Sequence, residues 1–327
     1  MNTNIDNIFK QFNQNTPGCA VCVVQNDQII LEKSYGLANL ENKIPITPNT
    51  AFRLASLTKP FTAMAIMILR EKGILDFDDE LDKFFPDFPE YGKGITIRQL
   101  LTHTSGIPDH EQPLYKKIKK GEEPTIYNSF EILKEQKGTF FKPGSQYKYS
   151  DTGYVVLALI VEKTSGKRYS DFLAKNIFIP LKMNNTVVLD ETKPALQNRA
   201  YGYKKIKSKY KLFDYDPLNY IIGDEGIYST IRDLAKWPKA WSKTILVSEK
   251  VLQEALVPQG KCGFSWFIQN EKRKIIFQDG SWVGFNNIML TEIKTGITAI
   301  LLSNTTQFPT EQKRVNIAKK ILDIGVK

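Results

Sequence analysis

The 327-residue sequence is poor in metal and disulfide donors, with three cysteines and two histidines. Three cysteines cannot build a disulfide framework. Cys19 and Cys22 fall in GCAVCVVQ, a β-rich run in which an offset of three puts them on opposite faces. With only Cys262, His103 and His110 besides, the donor set of a structural zinc site is missing. The cysteines therefore read as small core residues. Long apolar runs are missing too. Ala63–Leu69 and Tyr154–Val161 are core-sized, well short of the ~18 residues of a membrane span. The opening MNTNIDNIFKQFNQ lacks the basic, apolar and small-residue segments of a signal peptide. That fits a cytoplasmic protein, or one exported with its leader removed. Internal repeats and low-complexity linkers are absent as well.

Lysine, by contrast, is plentiful, and the formal charge is +10. It concentrates in KKIKKGEE (116–123) and YGYKKIKSKYK (201–211). The second run interleaves Tyr201, Tyr203 and Tyr210 with lysines, as a nucleic-acid surface can. The plainer reading is a solvated hairpin or loop, and nucleic acid is not an expected partner. An anionic polymer or membrane surface would be attracted without specificity. Hydrophobic residues at 42 % and charged residues at 24 % suit a globular enzyme with a sizeable core.

Strand signals sit at both chain ends and helix signals between them. An amphipathic helix is expected over 3–14, with Ile5, Ile8, Phe9 and Phe12 on one stripe. Two β-rich runs then flank the polar QNDQ, a hairpin. An apolar helix follows Ser56 and stops at Gly73. TIRQLLTHTSGIPDH reads as a helix stopped by Gly106 and Pro108. SDTGYVVLALIVEKTSG reads as a long helix with a Gly166 stop, and STIRDLAKW as one capped by Ser229 or Thr230. CGFSWFIQ, RKIIFQDG and FNNIMLTEIKTGITAILLSN return to strands, before a last helix over about 310–324. The economical architecture is one antiparallel sheet made by the two chain ends, flanked by helices, with a helical insertion beside it.

The chemistry gathers at RLASLTKPFTAMAIMIL (53–69). S-x-x-K recurs at Ser145/Lys148 and Ser208/Lys211, but only Ser56/Lys59 opens an apolar helix. Pro60 is tolerated there only if the helix begins near Ser56. Ser56 then sits at the positive end of the helix, and Lys59 lies one turn deeper on the same face. A serine hydroxyl is a weak nucleophile until its proton is taken. Burial and the helix dipole both favour the neutral amine that could take it. The Ser56 N–H is placed to hold an oxyanion.

SLTK resembles the S-x-x-K motif of serine β-lactamases and penicillin-binding proteins. YSD (149–151), in YKYSDTGYVVLALIVEKTSG, resembles the Y-x-N element of their class C branch. LLTHTSGIPD (100–109) and GIYSTIRDLAKW (226–237) resemble further stretches of that branch. QDGSWVGF (278–285) stands where the family has K-T-G or H-x-G. The resemblance covers nearly the whole chain and implies the mixed α/β fold of β-lactamases and DD-peptidases. It implies one catalytic domain over 1–327, with an α/β part at 1–75 and 255–327 and an all-helical part at 76–254. It further implies Ser56 as nucleophile, Lys59 as its activator, Tyr149 as proton shuttle, and the N–H groups of Ser56 and Ser281 as oxyanion hole. Asp151, Gln278 and Gly280 are the implied substrate-binding residues. The substrate is a small molecule or peptide, and neither cofactor nor metal is expected.

Two departures bear on substrate choice. Asp151 stands where the family has asparagine, and a carboxylate accepts where an amide can donate. It should keep Lys59 charged and pass base duty to Tyr149, whose phenol beside amines can become more acidic. Gln278 replaces the usual lysine or histidine, and Asp279 adds a negative charge beside it. Carboxylate-bearing lactams should therefore be recognised less well. Glu225 stands where a glycine is expected. The leading reading is acyl transfer through a Ser56 acyl-enzyme, from an ester or D-amino-acid amide. A D-Ala-D-Ala carboxypeptidase or weak β-lactamase competes with it. So does a non-hydrolytic sensor with the same fold, which would have no need for Ser56, Lys59 and Tyr149 together.

Overall fold

The computed structural model describes residues 3–190, 196–269, 274–308 and 310–325. Arg273, read above as a strand residue, lies outside them. The first helix, α1, covers Thr3–Phe9 and is shorter than its apolar stripe. Phe12 N–H closes a turn back to Phe9 O, and Asn13 and Thr16 then bond to nearby backbone N–H groups. Strands β1 (Cys19–Gln25) and β2 (Gln28–Tyr35) form the expected hairpin. Its turn residues Asn26 and Asp27 have φ of 49° and 63°, the signature of a tight type I′ turn.

The other four strands of the sheet come from the chain's last third: β3 (Phe267–Gln269), β4 (Ile275–Trp282), β5 (Phe285–Glu292) and β6 (Ile297–Ser303). Their order is β3-β4-β5-β6-β1-β2, every neighbouring pair antiparallel. The two chain ends join at β1 and β6, with Cys19 opposite Ser303 and Val24 opposite Thr298. Side chains alternate between faces. Cys19, Val21 and Val23 meet α1 and the C-terminal helix α4 (Glu311–Gly325). Ala20, Cys22 and Val24 face the larger core. All three cysteines are buried and unbridged, as small core residues should be.

That larger core holds the helices α2 (Lys59–Glu71) and α3 (Asp151–Ser165). Every residue of α2 from Lys59 to Leu69 is buried, with Pro60 in its first turn. At the start of α3, Ser150 accepts from Gly153 N–H, and Gly166 ends it at φ 64°. Thr96 and Gln99 form a reciprocal capping box on the short helix Ile97–Leu101, and Thr230 caps Ile231–Leu234. The inserted part is thus helical at its core, but it is not all-helical. Ile227–Ser229 lies between Phe52–Arg53 and Val187–Val188 in a small antiparallel sheet. Tyr203–Ile206 and Lys209–Leu212 form a separate hairpin. The strands of the small sheet are too short to show a clear two-residue alternation in sequence, whereas the hairpin falls in the lysine-rich run read above as a solvated hairpin or loop.

Candidate active site

Ser56 lies in a single 3₁₀ turn, Ala55–Thr58, that leads into α2. Ala55 adopts φ 53°, a left-handed conformation that turns the chain sharply before the serine. Ser56 is partly exposed, whereas Lys59 is fully buried. The Lys59 ammonium donates to Ser56 Oγ at 3.1 Å, to Asp151 Oδ1 at 2.6 Å and to Asp224 O at 3.1 Å. Three acceptors match three N–H donors. Burial alone would pull this lysine down. Asp151, Tyr149 and Asp224 outweigh it and hold the amine well above its ordinary value. Burial and helix dipole alone would favour the neutral amine, but Lys59 rests charged because Asp151 stands beside it, as expected from the carboxylate at that position. The carboxyl of Asp151 is pushed up by burial and pulled further down by Lys59, so it rests ionised.

Tyr149 comes from the extended segment just before α3. Its hydroxyl interacts with Ser56 and Lys59, and its ring centroid lies 5.1 Å from the Lys59 ammonium. Burial outweighs Lys59 and raises the phenol well above its usual value. The sequence led to the opposite expectation, of a phenol made more acidic by neighbouring amines. Of the two charges that act on the phenol, Lys59 favours its ionised form and Asp151 opposes it.

His103 holds this segment in place, a role the sequence reading did not give it. Its Nδ1 accepts from Ser150 N–H at 3.1 Å, its carbonyl accepts from Lys148 N–H at 3.0 Å, and its ring stacks on Tyr149 at 4.4 Å. Burial, with Lys59 nearby, lowers His103 to about 3, so the imidazole is neutral. The one sequence signal was its position in THTSG, where the chain needs φ 59°.

Beyond Phe277, β4 has left its partner β3, and the nucleophile turn occupies that edge. A Cβ on Gly280 would lie 2.1 Å from Leu54 O and 3.1 Å from Ser56 N. Only glycine allows this approach. Gln278 points the same way. It is buried, and its Nε2 donates to Ser56 O and to Asp279 O, each at 3.2 Å. It thus ties the nucleophile turn to β4 from behind and does not line the main cavity, contrary to its expected place at a substrate carboxylate.

That cavity, of about 500 Å³, is lined by Ser56, Tyr149, Asp151 and Ser281, and by Lys261 and Arg314 among others. Asp279 also lines it and holds Arg314 of α4 in an ion pair. The cations of the cleft are therefore Lys261 and Arg314, brought by segments with no motif. Arg232 is paired with Glu32 at the surface. A smaller cavity of about 190 Å³ adjoins at Tyr149 and Asp151. Glu225 neither lines the cleft nor meets solvent: it is buried 3.7 Å from Arg53, and burial raises its carboxyl well above the usual range.

Among the described residues no group of histidine, cysteine and carboxylate side chains could hold a metal, and no helix is long and apolar enough to cross a membrane. What the site can do is polarise a carbonyl and attack it with a serine.

Comparison with known proteins agrees. The chain is 35 % identical over 305 residues to Penicillin-binding protein 4* of Bacillus subtilis, covering 87 % of this chain and 67 % of that one. It spans about two thirds or less of the length of the curated relatives it matches. The structure of the octameric penicillin-binding protein homologue from Pyrococcus abyssi superposes with a TM-score of 0.84 at 27 % identity, covering 95 % of this chain and 74 % of that one. D-amino acid amidase from Ochrobactrum anthropi SV3 superposes with a TM-score of 0.78 at 25 % identity, covering 94 % and 93 %. The family model described as Beta-lactamase matches residues 5–322, and the chain belongs to that family.

Proposed function

We propose that this chain is a serine acyl-transfer hydrolase that works through a Ser56 acyl-enzyme on an ester or D-amino-acid amide. One observation carries the reading: a buried lysine ammonium bonded at once to a serine hydroxyl and a carboxylate, at the base of an open cavity. A merely structural lysine has no need of a partly exposed serine as its third partner.

Ser56 Oγ attacks the substrate carbonyl and gives its proton to Lys59, once that amine is neutral, across the 3.1 Å contact. The oxyanion sits between the N–H groups of Ser56 and Ser281. Tyr149, held protonated, gives its proton to the leaving alkoxide or amine, and Lys59 restores it. Water then attacks the acyl-enzyme by the same steps in reverse roles, releasing the acid and regenerating Ser56. The name of the D-amino acid amidase neighbour supports the amide class. The Asp279–Arg314 pair supports uncharged acyl groups over carboxylate-bearing lactams, because the cleft's arginine already has its anion. A panel of neutral p-nitrophenyl esters, D-amino-acid amides and penicillin tests this. Turnover of an ester or D-amide, lost in Ser56→Ala, is the expected result. A chain that none of the three acylates would be a binding module.

A further inference from the structure

We infer that the hairpin formed by Tyr203–Ile206 and Lys209–Leu212 is a docking surface for inorganic polyphosphate, a linear phosphate chain without bases. The hairpin is built against its own stability. In its ladder Lys204 stands directly opposite Lys211, and Ile206 opposite Lys209. Opposed residues share a face, about 5 Å apart, and like charges so placed repel. The neighbouring pair on the same face lies about 7 Å further along the strands. Lys204, Lys209 and Lys211 thus form one compact cationic array. A fourth lysine, Lys207, occupies the first turn position at φ 55°, a place that favours glycine. Among the described residues no ion pair to any of these four lysines is recorded. Carboxylates do stand nearby, but Asp214 is engaged with Arg199 and Glu41 with the Tyr203 hydroxyl. A segment that accumulates uncompensated charge at a strained turn is suited to a dense external anion.

The faces decide which anion. On a nucleic-acid surface the tyrosines would offer stacking platforms between the lysines. Here Tyr203 is fully buried, Tyr201 lies under the Arg199 guanidinium at 4.1 Å, and Tyr210 projects from the opposite face with its hydroxyl bonded to Gln307. The ring that does stand on the lysine face, Phe213, lies under the Lys204 ammonium at 4.4 Å and is not open to a base. A membrane is disfavoured too, because the exposed Ile206 and Leu212 project from opposite faces and form no joint wedge. A flexible phosphate chain needs only the point charges.

The hairpin is rooted beside the cleft. A Cβ on Gly202 would come within 3.0 Å of Gly284 Cα, in the turn that follows Ser281 and Trp282. No residue of the hairpin is among those lining the cavity, so docking there uses no catalytic group.

The test is binding of fluorescently labelled long-chain polyphosphate to the full chain, by anisotropy across a salt series. Lys204→Gln/Lys209→Gln/Lys211→Gln should weaken binding at least tenfold at low salt and flatten the log–log salt slope by about 2, at roughly 0.7 per lost contact. The matching arginine triple variant should restore binding. Lys116→Gln/Lys119→Gln/Lys120→Gln, an equal charge loss elsewhere, should bind within about twofold of the wild type. Where the glutamine triple variant fails to fold, Lys209→Gln/Lys211→Gln carries the same test at reduced size. Equal losses in the two triple glutamine variants would overturn the proposal, as would no binding by the wild type at low salt. Tighter binding of poly(dT), or of anionic vesicles, than of polyphosphate would also overturn it.

Discussion

Lys59 Nζ lies 2.6 Å from Asp151 Oδ1 and 3.1 Å from Ser56 Oγ, so one buried ammonium is shared between a carboxylate and the nucleophile. The carboxylate raises the lysine, and this sets the pH at which the site can work. With Lys59 and Tyr149 both held above their usual values, the base form is a minority at neutral pH. For a neutral ester, kcat/KM should rise by close to tenfold per pH unit from pH 6 to pH 9, without a plateau. A profile flat above pH 5 would assign the base to the ion pair as a unit.

Asp151→Asn removes the charge that holds Lys59 protonated. The alkaline limb should move to lower pH by a unit or more and bring a plateau into range. Stability follows the opposite logic. The depressed Asp151 carboxyl contributes stability that is present above the ordinary aspartate pKa and lost as pH falls through its folded value. The variant should be less stable by about 1–3 kcal/mol at pH 7, below the ~3–5 of a fully buried pair, since the Asp151 side chain is 33 % exposed. The gap to wild type should narrow below about pH 4. Denaturant unfolding at both pH values checks the sign.

Tyr149→Phe keeps the ring between His103 and Phe267 and removes the hydroxyl alone. Turnover should fall by about 10²–10⁴, the usual share of a general acid–base group, with little change in thermal stability. A loss under tenfold would remove Tyr149 from the mechanism.

Gly280→Ala places a methyl group against Leu54 O, Leu57 N and Ser56 N, all backbone atoms that cannot swing aside. The nucleophile turn and β4 must separate. Stability should drop by about 1–3 kcal/mol, as for overpacking, and kcat should fall at least 10²-fold as the two oxyanion donors part. An unchanged kcat would mean that Ser281 is not the second donor.

Asp279→Asn leaves Arg314 without its ion pair in the cavity. The ratio of kcat/KM for a carboxylate-bearing lactam over a neutral ester should rise about tenfold, because charge-assisted bonds are roughly twice as strong as neutral ones. An unchanged ratio would show that the cleft's substrate preference is set elsewhere.

Much of this was legible in the sequence, for a physical reason in each case. Pro60 fixes where α2 can start, so it places Ser56 and Lys59 on one turn before any coordinates are known. The three-residue offset of Cys19 and Cys22 placed them on opposite faces of β1, where they lie. What stayed hidden depends on contacts between distant segments. The family resemblance brought Asp151 to Lys59 across 92 positions, but the burial that keeps the Tyr149 phenol protonated was not visible in it. Gln278 is turned toward Ser56 by the parity of β4, and sequence does not reveal which face of a strand meets the nucleophile. Arg314 comes to the cleft from α4, in a run that carries no motif.

The central claim is that Ser56 carries the acyl group. The direct measurement is intact-mass spectrometry after mixing the chain with a fluorophosphonate, a neutral activated ester and penicillin, followed by peptide mapping. One adduct per chain, on Ser56, absent from Ser56→Ala and faster with the ester than with penicillin, is the predicted result. A label on Ser145 or Ser208, or an adduct that survives Ser56→Ala, would contradict it.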